Sequence, residues 1–334
     1  MFDWVSTDNM WINLLILIIG FVMLIKGADV FVDGAAALAR RFGVPGVIIG
    51  LTVVAMGTSA PELAVSVSAG LSGSNEIAVS NVIGSNLFNL LVVLGVCALM
   101  KPLPVDPGIK KRDYPICLIS TLLLLFLAST RVLFGDPKPD LGDTQAIAGD
   151  VSRIGGIVML IGFIGYMIYT IRFAKKTSEK DEDYTPEPIG KSIFFILIGL
   201  ACIVIGGDGV VTSAKNLALM WGMSETLVGL TIVAIGTSLP ELVTSVVASA
   251  KGENGMALGN AIGSNIFNLL LILGTSSTIR PIPVTVASFF DIGILLGVSI
   301  VCYFFVCTGR KLTRVEGAVM VLGYAGYTVY AILR

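Results

Sequence analysis

Two pairs of segments in this chain are near-copies, held at one constant spacing. Residues 50–63 read GLTVVAMGTSAPEL and residues 229–242 read GLTIVAIGTSLPEL, identical at eleven of 14 positions at a shift of 179. Residues 80–91, SNVIGSNLFNLL, and 259–270, GNAIGSNIFNLL, match at nine of 12 positions at the same shift. Asp29 aligns with Asp208 and Pro102 with Pro281 in that register as well. One unbroken register over more than 70 residues requires that the two halves build the same structural unit.

Both copies sit in apolar surroundings. Hydrophobic residues make up 55% of the 334-residue chain and charged residues only 13%, a balance that leaves no polar exterior for a soluble protein of this size. A membrane-spanning helix needs about 20 mainly apolar residues. Ten segments meet that test, near 11–32, 43–70, 76–99, 115–134, 154–174, 190–212, 224–250, 254–278, 285–307 and 315–333. Five fall in each half. An odd number makes the second half enter the membrane from the opposite side, so the expected fold is an all-α membrane protein of two inverted five-helix repeats. Such repeats place a binding site at the midplane where they meet.

The first repeat is expected over 1–174, with its duplicated motif at 50–91, and the second over 190–334, with its motif at 229–270. Between them, residues 175–189 contain KKTSEKDEDYTPEP, too charged and proline-rich to pack. The opening residues MFDWVSTDNMW carry no Lys or Arg, unlike a signal peptide, so the first segment is read as a retained helix. Lys and Arg collect in cytoplasmic loops. With both termini outside, the inside loops hold fifteen of them and the outside loops six; Lys26 lies within the first segment. The loop around 135–150, with Asp136, Asp140, Asp143 and Asp150, is expected outside.

A net charge of −1 argues against a nucleic-acid partner. The five cysteines, in or beside apolar segments and without CxxC spacing, read as small buried hydrophobes. The chain has no histidine, so any bound metal is expected to be a hard, oxygen-seeking one.

The chemistry concentrates in GTSxPE and GSNxFN. Glu62 and Glu241 lie inside spans, where a charge is costly and is expected to face an ion or a cavity rather than serve as a helix contact. Pro61 and Pro240 precede them and cannot bond the carbonyls of Gly57 and Gly236, so each helix should kink or open at GTS and free backbone oxygens. A plain packing kink is the bland alternative. Thr58 and Ser59 share the Glu62 face if the helix persists, as Thr237 and Ser238 do for Glu241. In the following spans Asn81, Ser85 and Asn89 run along one face, and Asn260, Ser264 and Asn268 repeat the pattern. These groups can ligate an ion or join helices, with Gly84 and Gly263 permitting close approach. Joining is favoured for Asn81, Asn86, Asn260 and Asn265. Asp29 and Asp208 line an access path or sit at the interface, and Lys26 reads as snorkelling or paired to an aspartate.

Two carboxylates with surrounding hydroxyls, amides and carbonyls suit calcium, which takes about 6–8 oxygens. Their −2 charge is neutralised by one Ca²⁺, or by two or three Na⁺ in competition. Mg²⁺, which keeps its water, fits less well.

GTSxPE followed by GSNxFN, twice, in an inverted ten-helix chain resembles the sodium/calcium exchangers of the cation/calcium exchanger superfamily, and among them the short bacterial and archaeal forms. The resemblance covers essentially the whole chain. It implies Na⁺/Ca²⁺ exchange by alternating access, with calcium held by Glu62, Glu241 and the Thr58 and Thr237 carbonyls. It implies sodium ligands from Ser59, Ser238, Ser85, Ser264, both glutamates and the carbonyls of Ala55 and Ala234. Helices one and six would slide over the rest. On the same resemblance Asn89 and Asn268 belong to the ion site. Asn268 matches a position that holds Asp in some members, including the potassium-dependent branch. The long regulatory domain of animal exchangers has no counterpart here.

H⁺/Ca²⁺ exchange is the alternative on the same scaffold, since protons compete for any carboxylate. A channel usually gathers its ligands from an oligomeric ring. This chain makes a complete two-fold site by itself, so it is expected to work as a monomer. An enzyme is not expected, for lack of a nucleophile and base at the centre, and no cofactor is implied beyond the transported Ca²⁺ and Na⁺. The expected setting is the lipid bilayer of a prokaryotic inner membrane.

Overall fold

The computed structural model describes residues 9–72, 76–135, 138–176, 188–223 and 234–333, and is helical almost throughout. The helices are α1 (Met10–Phe42), α2 (Gly46–Thr58), α3 (Ala60–Ser72), α4 (Glu76–Met100), α5 (Tyr114–Ala128), α6 (Arg153–Lys176), α7 (Ile189–Met220), α8 (Leu239–Ala250), α9 (Asn254–Ile279), α10 (Val286–Thr308) and α11 (Arg314–Leu333). Seven of them are long and apolar enough to cross a membrane, and α2 with α3 passes that test as one pair bent by 47°. Large apolar side chains such as Leu15, Ile18, Ile161, Phe304 and Leu322 are exposed around the outside, as lipid contact requires. The segment expected over 224–250 is described only from residue 234, and most of the 175–189 linker lies outside the described residues.

Local chemistry sets the helix ends. Asn9 caps α1 by accepting from the Trp11 and Ile12 amides, and Gly43 closes it in the left-handed region at φ 61°. Thr313 and Glu316 form a reciprocal capping box at the start of α11. α1 and α7 run longer than expected, 33 and 32 residues, or about 50 Å each.

These two long helices pack against each other antiparallel along a stripe of small residues. Positions 13, 20, 27 and 34 hold Asn13, Gly20, Gly27 and Gly34, and their repeat mates at 192, 199, 206 and 213 hold Ser192, Gly199, Gly206 and Ser213. A methyl group on Gly27 would stand 2.9 Å from the Gly199 carbonyl oxygen, and one on Gly206 would stand 2.8 Å from that of Gly20. Only backbones without side chains approach this closely. The seven-residue period keeps the stripe facing its partner along the whole crossing. At one end Asn216 donates to Asn13 at 3.0 Å.

A second close crossing joins the two halves. A methyl group on Gly50 would lie 2.4 Å from the Met256 carbonyl oxygen, and Gly259 and Gly263 of α9 meet the backbone of Val47 and Leu51 as closely. Gly84, the mate of Gly263, has no described residue within 4 Å of such a methyl.

Two short ribbons tie loops together at opposite ends of the bundle. β1 (Leu103–Pro104) pairs with β4 (Lys311–Leu312), and β2 (Ile147–Val151) pairs with β3 (Ile282–Thr285), both antiparallel. The first ribbon lies among Lys101, Lys110, Arg310 and Arg314, and the second beside Asp143 and Asp150. The five cysteines are unbridged, with Cys97, Cys117 and Cys302 buried.

Candidate functional site

The helix from Gly46 breaks where the GTS motif meets proline. Ser59 leaves the helical region at φ −84°, ψ 7°, and Ser238 does the same at φ −95°, ψ 6°. Pro61 and Pro240 lack the N–H that would return to the Gly57 and Gly236 carbonyls, so the ladder is interrupted one turn before each glutamate. The two copies differ in detail. The Ser59 amide bonds the Ala55 carbonyl four residues back at 3.0 Å, whereas the Ser238 amide bonds Ile235, three back, at 3.1 Å. Ala234 opens the short turn that ends at Gly236.

The break redirects the hydroxyls. Ser59 does not support Glu62 on its own helix; it donates to Glu241 Oε1 of the other half at 2.9 Å. Ser238 reaches back, with its hydroxyl 3.4 Å from Glu62 Oε1 and 3.1 Å from Ser85 Oγ, and Ser85 donates to the same carboxylate oxygen at 3.4 Å. Each carboxylate is thereby held by a serine from the opposite repeat. Both glutamates, with Ser59, Ser238, Thr58, Ser264, Asn89 and Asn268, have no solvent-exposed surface. Thr58 donates to Asn260 Oδ1 at 3.1 Å, while the Thr237 hydroxyl finds no partner among the described residues.

Four asparagines join α4 to α9 beside these carboxylates. Asn86 and Asn265 each donate to the other's carbonyl at 3.3 Å. Asn89 donates to Asn265 Oδ1 at 3.1 Å and Asn268 to Asn86 Oδ1 at 3.0 Å. The amide nitrogens of Asn89 and Asn268 are thus spent joining helices, and their oxygens are left over. Asn81 and Asn260 work one turn further out, donating to Ser66 and Ser245 at 3.2 and 2.9 Å. Ser66 and Ser245 went unnoticed in the sequence, although each follows its glutamate by four residues in both copies.

What remains unsatisfied is of one kind. Among the described residues, Glu62 Oε2, Glu241 Oε2, Ser264 Oγ, Thr237 Oγ1, Asn89 Oδ1 and Asn268 Oδ1 are buried oxygens without a hydrogen-bond partner. Leaving such groups empty is costly, and more so for charged ones. Among the described residues, no hydrogen bond or ion pair joins a basic side chain to either glutamate, and the salt bridges lie elsewhere. Such a cluster of acceptors has the chemistry to take up a bare cation.

The family model described as sodium/calcium exchanger protein matches residues 12–172 and 191–333. The chain belongs to the sodium/calcium exchanger family. This exchanger is 35% identical over 342 residues to a sodium/calcium exchanger of Methanosarcina acetivorans, covering 95% of this chain and 98% of that one. It is 33% identical to an inner membrane protein of Escherichia coli, covering 94% of each. Its fold matches the solved structure of the sodium-calcium exchanger NCX_Mj soaked with 10 mM Na⁺ and no Ca²⁺, at a TM-score of 0.81 and 30% identity over 97% of this chain and 99% of that one. The exchanger is therefore a multi-pass membrane protein of a cation-antiporter family, with a helical fold shared with a solved relative.

Proposed function

We propose that this protein exchanges Na⁺ for Ca²⁺ by alternating access at one acidic site between Glu62 and Glu241. The observation that carries the reading is the set of buried oxygens around two carboxylates that, among the described residues, have no hydrogen-bond partner and no basic side chain paired with them. Calcium would bind Glu62, Glu241 and the carbonyls of Thr58 and Thr237. Sodium would draw on Ser59, Ser238, Ser85 and Ser264 with the Ala55 and Ala234 carbonyls, and Asn89 and Asn268 would supply amide oxygens. The substrate ions of the similar exchanger from Methanosarcina acetivorans, by its name, are of this kind.

The proposed architecture is ten spans in two inverted repeats, 1–174 and 190–334, joined by the 175–189 linker. Loop pairing supports it. Arg40 meets Glu253, β1 meets β4, and β2 meets β3, which sorts the connections into two sets on opposite sides as ten crossings require. The basic set, with Arg40, Lys101, Lys110 and Arg310, is assigned to the cytoplasm and the termini to the outside. The protein is taken to work as a monomer.

Calcium-45 uptake into proteoliposomes tests this, driven by an outward Na⁺ gradient with an outward proton gradient run in parallel. Uptake with sodium alone is expected. Uptake only with protons would move the protein to H⁺/Ca²⁺ exchange, and uptake with neither would remove calcium as the substrate.

A further inference from the structure

The turn between α8 and α9 is built rigidly and carries opposite charges on its two sides. Gly252 sits at φ +86°, and the amides of Gly252 and Glu253 bond the Ser249 and Ala248 carbonyls at 3.1 and 2.9 Å, a closed helix C-cap. Lys251 and Glu253 flank this glycine. Facing them on α1 are Asp29, Asp33 and Arg40, whose spacing places them along one side of the helix.

The charges pair. Lys251 Nζ lies 2.7 Å from Asp29 Oδ1 and 2.6 Å from Asp33 Oδ1, and it donates to the Asp29 carbonyl at 2.9 Å. These use all three ammonium donors. Arg40 Nη1 lies 3.2 Å from Glu253 Oε1. Partial burial alone would lower the Lys251 ammonium; the bonds to Asp29 and Asp33 outweigh it and hold it above its ordinary value.

The equivalent pairing, of α7 with the end of α3, lacks these charges. At the shift of 179, Lys251 corresponds to Ser72, Glu253 to Ser74, Asp33 to Thr212 and Arg40 to Leu219; only Asp29 has an acidic mate, Asp208. Packing follows the same asymmetry. α1 lies along α8, and Leu24, Ala28, Phe31 and Val32 of α1 share one buried cluster with Ala248, against which the half-buried Leu239, Val243 and Val247 pack. No residue of α3 takes part in that cluster, and Ala64, Ser68, Leu71 and Ser72 on α3 are exposed.

We propose that Lys251, bridging Asp29 and Asp33 while Arg40 holds Glu253, is a one-sided ionic latch that keeps the α8 face of the exchanger shut. This rests on the alternating-access reading above. Two inverted halves with the same fold make two access states of similar energy, so a contact present on one side only sets their ratio. Opening the α8 face requires α1 to leave α8 and the latch to break. Each partly exposed pair contributes a factor of roughly 1.4 to 5, and the bridged lysine with its neighbour shifts the ratio by about 3- to 10-fold.

The test uses the full chain in lipid nanodiscs, where both faces meet a water-soluble maleimide. The five native cysteines are replaced by alanine and single cysteines are introduced as Val247→Cys on the shut face and Ser68→Cys on the exposed one. Lys251→Gln is expected to raise the labelling rate of Val247→Cys by about 3- to 10-fold, with Ser68→Cys unchanged or slower. The charge swap Asp33→Lys with Lys251→Asp is expected to return the Val247→Cys rate to within about twofold of the parent. An unchanged rate in Lys251→Gln, or a swap that fails to restore it, overturns the latch. Hydrogen exchange over residues 239–250 in the chain with native cysteines gives a second readout should the cysteine-free background fold poorly; equal protection in parent and Lys251→Gln would count the same way. Parent transport is measured beside it. A parent that moves no calcium on a sodium gradient sinks the functional reading while leaving the labelling comparison intact. Active parent transport with unaltered labelling sinks the latch alone.

Discussion

Replacing Glu241 by glutamine separates charge from shape at the centre of the protein. Glutamine keeps an oxygen where Ser59 donates to Glu241 Oε1 at 2.9 Å, so the cross-repeat bond and the packing survive. What disappears is one of two negative charges, both fully buried. At an effective dielectric of about 20, a unit charge about 4 Å from a divalent ion contributes roughly 8 kcal/mol, and from a monovalent ion roughly 4. The amide oxygen recovers part of this as a neutral ligand. Taking about half leaves a loss of about 4 kcal/mol for Ca²⁺ and about 2 for Na⁺, or about 1,000-fold and about 30-fold in Kd. The fold should gain in the absence of ions, because one uncompensated buried charge has gone. The expected result is a higher apo melting temperature, loss of calcium protection, and weakened but measurable sodium protection, read by thermal unfolding in detergent against ion concentration. Calcium protection within about tenfold of the parent's Kd would refute the assignment of Glu241 as a ligand.

Other substitutions probe the neighbours. Ser59→Ala removes the 2.9 Å bond to Glu241, whereas Glu62 shares Ser238 and Ser85 at 3.4 Å, so Ser59→Ala should weaken ion-driven uptake more than Ser238→Ala; the lost charged hydrogen bond is worth about 1.5–3 kcal/mol. Asn268→Asp places a carboxylate against Asn86 Oδ1, now 3.0 Å from the Asn268 amide nitrogen, and should lower apo stability by about 1–3 kcal/mol while shifting the Ca²⁺ to Na⁺ affinity ratio; an unchanged ratio would make Asn268 purely structural. Gly50→Ala drives a methyl to 2.4 Å from the Met256 carbonyl and should destabilise by about 1–3 kcal/mol in a thermal melt; an unchanged melting temperature would refute the close crossing.

The membrane setting, the paired glutamates and the helix break at GTS follow from composition, a constant repeat shift and the chemistry of proline, all of which act locally along the chain. The stripe of small residues every seven positions in α1 and α7 was legible by the same means, since Gly20, Gly27 and Gly34 stand in register with Gly199, Gly206 and Ser213. Periodicity reports which residues share a face of their own helix, and it stops there. On that basis Ser59 belonged with Glu62; the bend at Ser59 turned its hydroxyl to Glu241 in the other half.

The amide ring of Asn86, Asn89, Asn265 and Asn268 is likewise a product of two helices crossing, with partners 176 to 182 residues apart. The close approach of Gly50 to Met256, and which face of the bundle carries Lys251 against Asp29 and Asp33, are also tertiary outcomes. A repeated sequence specifies two equivalent halves, whereas the tertiary structure treats them differently. Among the described residues α1 packs onto α8 in a buried cluster that no residue of α3 joins, because which helices meet is set by packing across the whole bundle and not by the local sequence that the two halves share.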